Sequence, residues 1–408
     1  MLKRHDHGAV RRDAEHAPVW WAPGMRPLLA STALGFAGLS LLLPVAPLWA
    51  LDGGTDELGA GLVNTVLMLF TVIAQLLMGR VLGRLGRQRA LVLGSCLLGL
   101  PALGHLLTDR VAAIAALAAV RGLGFGIITV CGATAVAALV GPERRGRAVG
   151  AYGLAVAVPQ CLLIPFAPWL AERAGFTPVF VCAAVPLLAL PLAPRVAHAL
   201  HRAGEAPAAP ARRRGDAGRL RRVLPAPIAA LLAITAAGGA ILTFTPRLLS
   251  DPAAVYLALL AFTATAALSR WRFGEVADRR GAAPAIAPLL GVGAAGLAAV
   301  AAGAASGTGA AGPFLVVAGL LVVGVAYGGL QNLTLVQSFA TAGEGARSSV
   351  SVAWNVGFDA GTGLGSFVAG ALATAGSYTL CYTVLAALTA SVGICWAGAR
   401  RRGHEAVR

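Results

Sequence analysis

Gly274-Glu275-Val276-Ala277-Asp278-Arg279-Arg280-Gly281 is a short polar stretch between two long apolar runs. About 195 residues earlier stands its partner, Gly79-Arg80-Val81-Leu82-Gly83-Arg84-Leu85-Gly86-Arg87-Gln88-Arg89. In both, a glycine is followed by four residues, an arginine, one residue and a second glycine. Each stretch joins the second long apolar segment of its half of the chain to the third. A polar turn repeated at this distance reads as a chain made of two related halves.

The composition sets the medium. The chain has 408 residues, 57% of them hydrophobic and only 12% charged, where soluble proteins carry about 25% charged residues. The apolar residues fall in blocks of roughly 20, the length that crosses a bilayer as helix. The expected fold class is an all-α polytopic membrane protein with twelve transmembrane helices in two six-helix, pseudo-symmetric halves. The predicted spans are 27–50, 59–79, 88–107, 111–139, 147–170 and 174–196, then 224–247, 252–270, 281–303, 312–336, 348–372 and 377–398. The chain then divides into an N-tail (1–26), a first half (27–196), a linker (197–223), a second half (224–398) and a C-tail (399–408). The linker, with Arg212-Arg213-Arg214 among Ala, Gly and Pro, reads as a flexible basic strap on the membrane surface.

A net charge of +16 could point to nucleic acid. Its distribution points to topology instead. With the N-terminus placed in the cytoplasm, 29 of the 33 basic residues fall in cytoplasmic segments and only Arg110, Arg173 and Arg247 fall outside. Such an asymmetry over short loops orients a membrane protein. The reading is therefore a multi-pass protein of the cytoplasmic membrane with both termini inside, in contact with lipid and not with nucleic acid. The six cysteines all lie in apolar runs, without CxxC or Cys/His clusters, and read as core residues rather than disulfides or metal ligands. No cofactor is expected, and nothing in the sequence requires an oligomer.

By the same count, and away from the span ends, which are placed only to within several residues, Arg121 is the one basic residue inside a span and Asp359 the one acid. Intramembrane charge is costly and marks a functional site by default. At 1.5 Å per residue both lie roughly 15 Å deep, near the midplane. The eleventh span carries Ser348, Ser351, Asn355, Asp359, Thr362 and Ser366, spaced 3, 4, 4, 3, 4. That spacing places them on one helix face. The tenth carries Tyr327, Gln331, Thr334 and Ser338, with Asn332 and Gln337 beside them.

Twelve spans in two halves, a basic central linker and the repeated turn resemble the major facilitator superfamily. Pro44-Val45-Ala46-Pro47, at the expected end of the first span, resembles the Pro-x-x-Pro of efflux members. Arg121-Gly122-Leu123-Gly124-Phe125-Gly126 resembles a proton-coupling segment. Asn355-Val356-Gly357-Phe358-Asp359-Ala360-Gly361 resembles a segment of efflux permeases. The Gly-Pro and Gly-Gly signature of antiporters is absent from the fifth span. The resemblance implies a secondary transporter that moves a small, largely apolar solute by alternating access, with proton-driven export as the first expectation and proton-driven uptake of a nutrient as the second. A membrane enzyme would need a cluster of His, Asp or Glu near one face, and a sensor a folded soluble domain. Neither is visible. The resemblance also implies roles: Asp359 and Arg121 as proton-coupling residues, and Asn355, Gln331, Asn332, Tyr327 and Phe125 as cavity residues. Gly79, Gly83, Arg84, Gly86, Arg87, Gly274, Asp278, Arg279 and Gly281, with Glu143 and Arg145 before the fifth span, would form gating turns.

The two turns are not equivalent, because Gly83 stands where Asp278 supplies a carboxylate. The resemblance implies that the acid of this turn meets a helix N-terminus of the opposite half, where an anion is stabilising; Asp278 is then the expected latch against the start of the fifth helix, the alternative being a solvated turn that only follows the basic-inside pattern. Asp278→Asn should bias the carrier toward its cytoplasm-open state, and Gly83→Asp toward the closed one. Thiol labelling of cysteines placed at the cytoplasmic helix ends checks both, and unchanged labelling in both variants would refute the latch.

Overall fold

The computed structural model describes residues 19–140, 144–204, 216–306, 311–342 and 346–405. It is helical throughout. The first helix, α1, runs Met25–Asp52. A continuous helical segment, Glu57–Gly104, holds the next two, because Gly86 inside it has φ 70 and ψ 168. We divide it there into α2 (57–85) and α3 (87–104). Then follow α4 (Val111–Ala138), α5 (Arg145–Ala174) and α6, which spans Phe176–Arg202. The second half has α7 (Pro225–Leu248), α8 (Pro252–Arg280), α9 (Ala283–Ala305), α10 (Ala311–Ala342), α11 (Arg347–Ala375) and α12 (Tyr378–Glu405). Eleven segments are long and apolar enough to cross a bilayer, and one of them, Glu57–Leu107, is the pair that Gly86 divides.

The helices depart from the predicted spans where hydropathy is a poor guide to helix ends. Pro44 and Pro47 do not end α1, which continues to Asp52. The helix α8 runs ten residues beyond its apolar run, to Arg280. The linker is helical at both ends: α6 reaches Arg202 and a further short helix occupies Asp216–Val223. Within α6, Val185–Leu192 winds as a 3-10 helix containing Pro186 and Pro191, residues that cannot donate to an α-helical ladder.

The repeated turn is a repeat of backbone geometry. Gly86 has φ 70, ψ 168, and Gly281, its counterpart, has φ 74, ψ 160. This region is essentially restricted to glycine. It reverses the chain in one residue between antiparallel helices.

Across the halves, α2 packs on α11, α5 on α8 and α1 on α7. We call the end that carries the termini and the linker the inner end. One hydrophobic core joins the two halves through the outer and middle depth, including Leu43, Val63, Leu67, Ile241, Phe262 and Tyr327. Toward the inner end the main core continues only in the second half, through Ala277, Ala282 and Ile286, and two separate clusters appear beside it. Met25, Met78, Leu91, Cys131 and Val196 belong to the first half, and Leu224, Ala342, Ala346 and Val350 to the second. Gly79 and Gly83 on α2, and Gly150 and Gly153 on α5, have open space where a Cβ would stand. Gly363 on α11 instead lies directly over Met68 of α2. The halves are therefore joined outside and parted inside.

Gly86→Ala and Gly281→Ala should each destabilise the fold by about 1–3 kcal/mol, since alanine is strained in this conformation. Gly83→Ala, on regular helix with open space, should not. Thermal unfolding of the purified protein in detergent compares the three.

Candidate functional site

Where the joined outer core meets the parted inner end, a cavity of about 200 Å³ lies between the halves. Its outer lid is built from a consequence of proline. Pro47 has no N–H, so the Leu43 carbonyl one turn before it in α1 lacks its helical donor. Asn64 of α2 supplies one through Nδ2 at 2.9 Å, and the same amide group reaches Thr243 Oγ1 of α7 at 3.0 Å. Thr243 Oγ1 lies 3.1 Å from Ser366 Oγ of α11, which donates to the Gly239 carbonyl. Asn64, Thr243 and Ser366 are all buried. Outside this layer is a vestibule of about 1190 Å³ that shares no lining residue with the central cavity.

Hydrogen bonds between the halves run from the outer helix ends to mid-depth. Leu58 N–H donates to Thr374 Oγ1, and Thr65 Oγ1 donates to the Gly363 carbonyl. Thr263 Oγ1 lies 3.4 Å from the Cys161 carbonyl. Innermost on the α2–α11 face, Gln75 Nε2 donates to Asp359 Oδ2 at 2.6 Å.

Asp359 is 5% exposed and lines the cavity. Asn355, Gln331, Tyr327 and Phe125 line it too, as does Gln75. The polar face of α11 divides by depth: Asn355, Asp359 and Thr362 border the cavity, and Ser366 belongs to the lid. Aromatic rings fill the walls. Phe36 meets Phe125 edge-on at 5.2 Å, Tyr327 lies 5.0 Å from Phe262, and Trp354 stacks on Phe358 at 5.6 Å. Trp354 is fixed by its Nε1 donating to Thr334 Oγ1 of α10.

Two residues singled out in the sequence stand away from the cavity. Arg121, expected to couple protons, does not line it. It lies one helical turn outward of Phe125, is 1% exposed, and its Nη2 donates to the Gly38 carbonyl of α1 inside the first half. Depth along a helix says nothing about which way a long side chain turns. Asn332 also leaves the cavity: it faces α8, with its Nδ2 3.3 Å from the place a Cβ on Gly274 would occupy.

One cavity residue is hidden in the sequence. Hydropathy places Arg270 at the inner loop after the eighth span, but α8 continues past it. It is half-buried, ten residues and so about 15 Å from the inner end of α8, and it lines the cavity. Its Nη1 donates to Gln331 Oε1 of α10 at 3.1 Å. Tyr327 is close enough to interact electrostatically with both Arg270 and Asp359. Among the described residues that line the cavity, Arg270 is the one cation.

The gating-turn residues lie apart from this cavity, at the inner helix ends. Arg84, Arg145, Asp278, Arg279 and Gly281 are exposed, as are Gly79, Gly83 and Gly86. Gly274 is half-buried against Asn332. Arg87 is engaged, its Nη1 donating to Thr134 Oγ1 of α4. Glu143 lies outside the described residues.

Residues 28–355 match the family description of the Major Facilitator Superfamily. The chain belongs to that superfamily. Its fold is similar to crystal structures of the nucleoside transporter NupG. A point-mutant form gives a TM-score of 0.63 at 13% identity, covering 92% of this chain and 99% of that one. The unmutated protein gives 0.61 at 14%, covering 92% and 98%. At these identities the likeness is one of fold. No curated protein matches the sequence.

Asn64→Ala would orphan the Leu43 carbonyl and remove a tie between α2 and α7, and should destabilise the protein by about 1–3 kcal/mol. It should also loosen the lid. In a cysteine-free background, Leu39→Cys on the cavity wall should react faster with an impermeant maleimide from the outer side when Asn64→Ala is present.

Proposed function

We propose that this superfamily member is a secondary active transporter that moves a small solute with a large apolar surface through the central cavity, by alternating access coupled to protons. The observation that carries the reading is the position of Asp359. It is a buried carboxyl bordering the cavity, and its partner Gln75 belongs to the opposite half. A group placed there senses both the solute and the relative position of the halves.

The chemistry of Gln75 suits a carboxyl that gains and loses a proton. Its Nε2 donates to the carboxylate, while its buried Oε1 has no hydrogen-bond partner among the described residues. An amide turned about its last torsion offers that oxygen to a protonated carboxyl, which has one O–H to donate. Gln75 can therefore satisfy Asp359 in either state. The bond of the moment differs, and with it the contact between α2 and α11. Rocking of one half against the other is the general motion of such carriers. Here the joined outer core and parted inner core support an inner-open state. With the basic residues gathered at the inner end, that end is the cytoplasmic one, and the protein is one of the cytoplasmic membrane, working as a monomer.

Asp359→Asn should insert and fold normally but lose the acceleration of solute flux by an imposed pH gradient in proteoliposomes. Exchange of solute at equal pH should persist. A pH-driven flux undiminished in Asp359→Asn would remove this residue from the mechanism.

A further inference from the structure

We infer that the solute carries an anionic group, that Arg270 is its receptor, and that the anion and one proton cross in the same direction. The inference rests on the transport reading above and adds the substrate class to it. Its basis is the donor inventory of the cavity. A guanidinium has five N–H donors in a fixed fork suited to carboxylate, sulfonate or phosphate. Arg270 spends one on Gln331 Oε1, and the residue, half-buried as a whole, lines the cavity. Around it lie aromatic surfaces, with Trp354, Phe358, Phe36 and Phe125 on the walls. The complementary ligand is a small planar or aromatic body bearing one anionic group.

Charge then links this ligand to the proton. The charged and titratable groups around the cavity are Asp359 on α11, Arg270 on α8, Tyr327 on α10, and Tyr152 and Cys161 on α5. The groups brought by α1, α2, α4 and α7 are neutral: Phe36, Gln75, Phe125, Thr129 and Leu242. With Asp359 ionised, the cavity holds one negative and one positive charge and offers an anion no net attraction. With Asp359 protonated, Arg270 is left uncompensated in a low-dielectric space, where charges interact more strongly than in water. Anion affinity must therefore fall as Asp359 loses its proton, and by linkage a bound anion must hold that proton more tightly by the same factor. The loaded carrier bears anion and proton together. A proton gradient directed inward would drive uptake, in place of the export that sequence resemblance suggested.

The test compares two probes of one shape, 2-naphthalenesulfonate and the neutral 2-naphthalenesulfonamide, against the purified full-length protein by calorimetry. The sulfonate should bind about tenfold or more tightly than the sulfonamide at mildly acid pH, the range of one charge-assisted hydrogen bond. The margin should shrink at mildly alkaline pH. Arg270→Gln should bring the two affinities together, Arg270→Lys should keep part of the margin, and Asp359→Asn should hold it constant across pH. In proteoliposomes containing a pH-sensitive dye, protons should follow the sulfonate in the same direction. The inference is overturned by a wild-type protein without the margin, by a margin that survives in Arg270→Gln, or by protons moving against the sulfonate. If the sulfonamide is carried with proton coupling and the sulfonate is not, the anion assignment falls and the transport reading stands. If neither probe binds or moves, both fall.

Discussion

The hydrogen bond from Gln75 to Asp359 sits at the depth where the protein changes character. Outward of it, the two halves share one hydrophobic core, tied by Asn64, Thr243 and Ser366. Inward of it, the first half keeps a cluster of its own, and the second half keeps another beside the inner end of the main core. A buried carboxyl must be hydrogen-bonded or neutral, because an unpaired buried charge is far more costly than a neutral polar group. The contact that meets this need is also a contact between moving bodies. Any rearrangement of α2 against α11 has to find Asp359 another partner or a proton. That constraint couples a local protonation event to the arrangement of the whole molecule.

The closed outer side arises from a similar need. Pro47 opens a hole in the α1 hydrogen-bond ladder, and in a lipid setting such a hole must be filled by protein. Asn64 fills it, and the geometry that brings its amide to Leu43 also brings it to Thr243. The seal between halves thus grows out of a defect within one of them. Serine and threonine complete the layer with little bulk, so the helices can lie close.

Much of this was legible in the sequence, and the reasons for the rest are physical. Twelve spans were readable because bilayer thickness fixes helix length, and the repeated glycine frame located the two halves. Asp359 stood out because a carboxyl is costly to bury among apolar residues, and the 3–4 spacing of α11 showed the face it occupies. Arg270 escaped because an arginine near the end of an apolar run looks like any other basic loop residue. Nothing in hydropathy says that the helix continues for ten more residues. Arg121 drew attention by its depth, but its orientation is set by the Gly38 carbonyl, a partner 83 residues away. Gln75 and Asn64 are single amides in apolar runs. Their roles appear only when the neighbouring helix is known.

The two glycine turns carry a consequence for how such signatures age. At Gly86 and Gly281 the backbone itself demands glycine, whatever the surrounding side chains do. The acidic position of the frame has no such demand, since Gly83 lies on regular helix with open space over it. Under mutational drift the frame can lose its carboxylate and still display its glycine and arginine. The first turn has that form. A recognisable signature is then a fossil of chain reversal, and only its carboxylate speaks for a working latch.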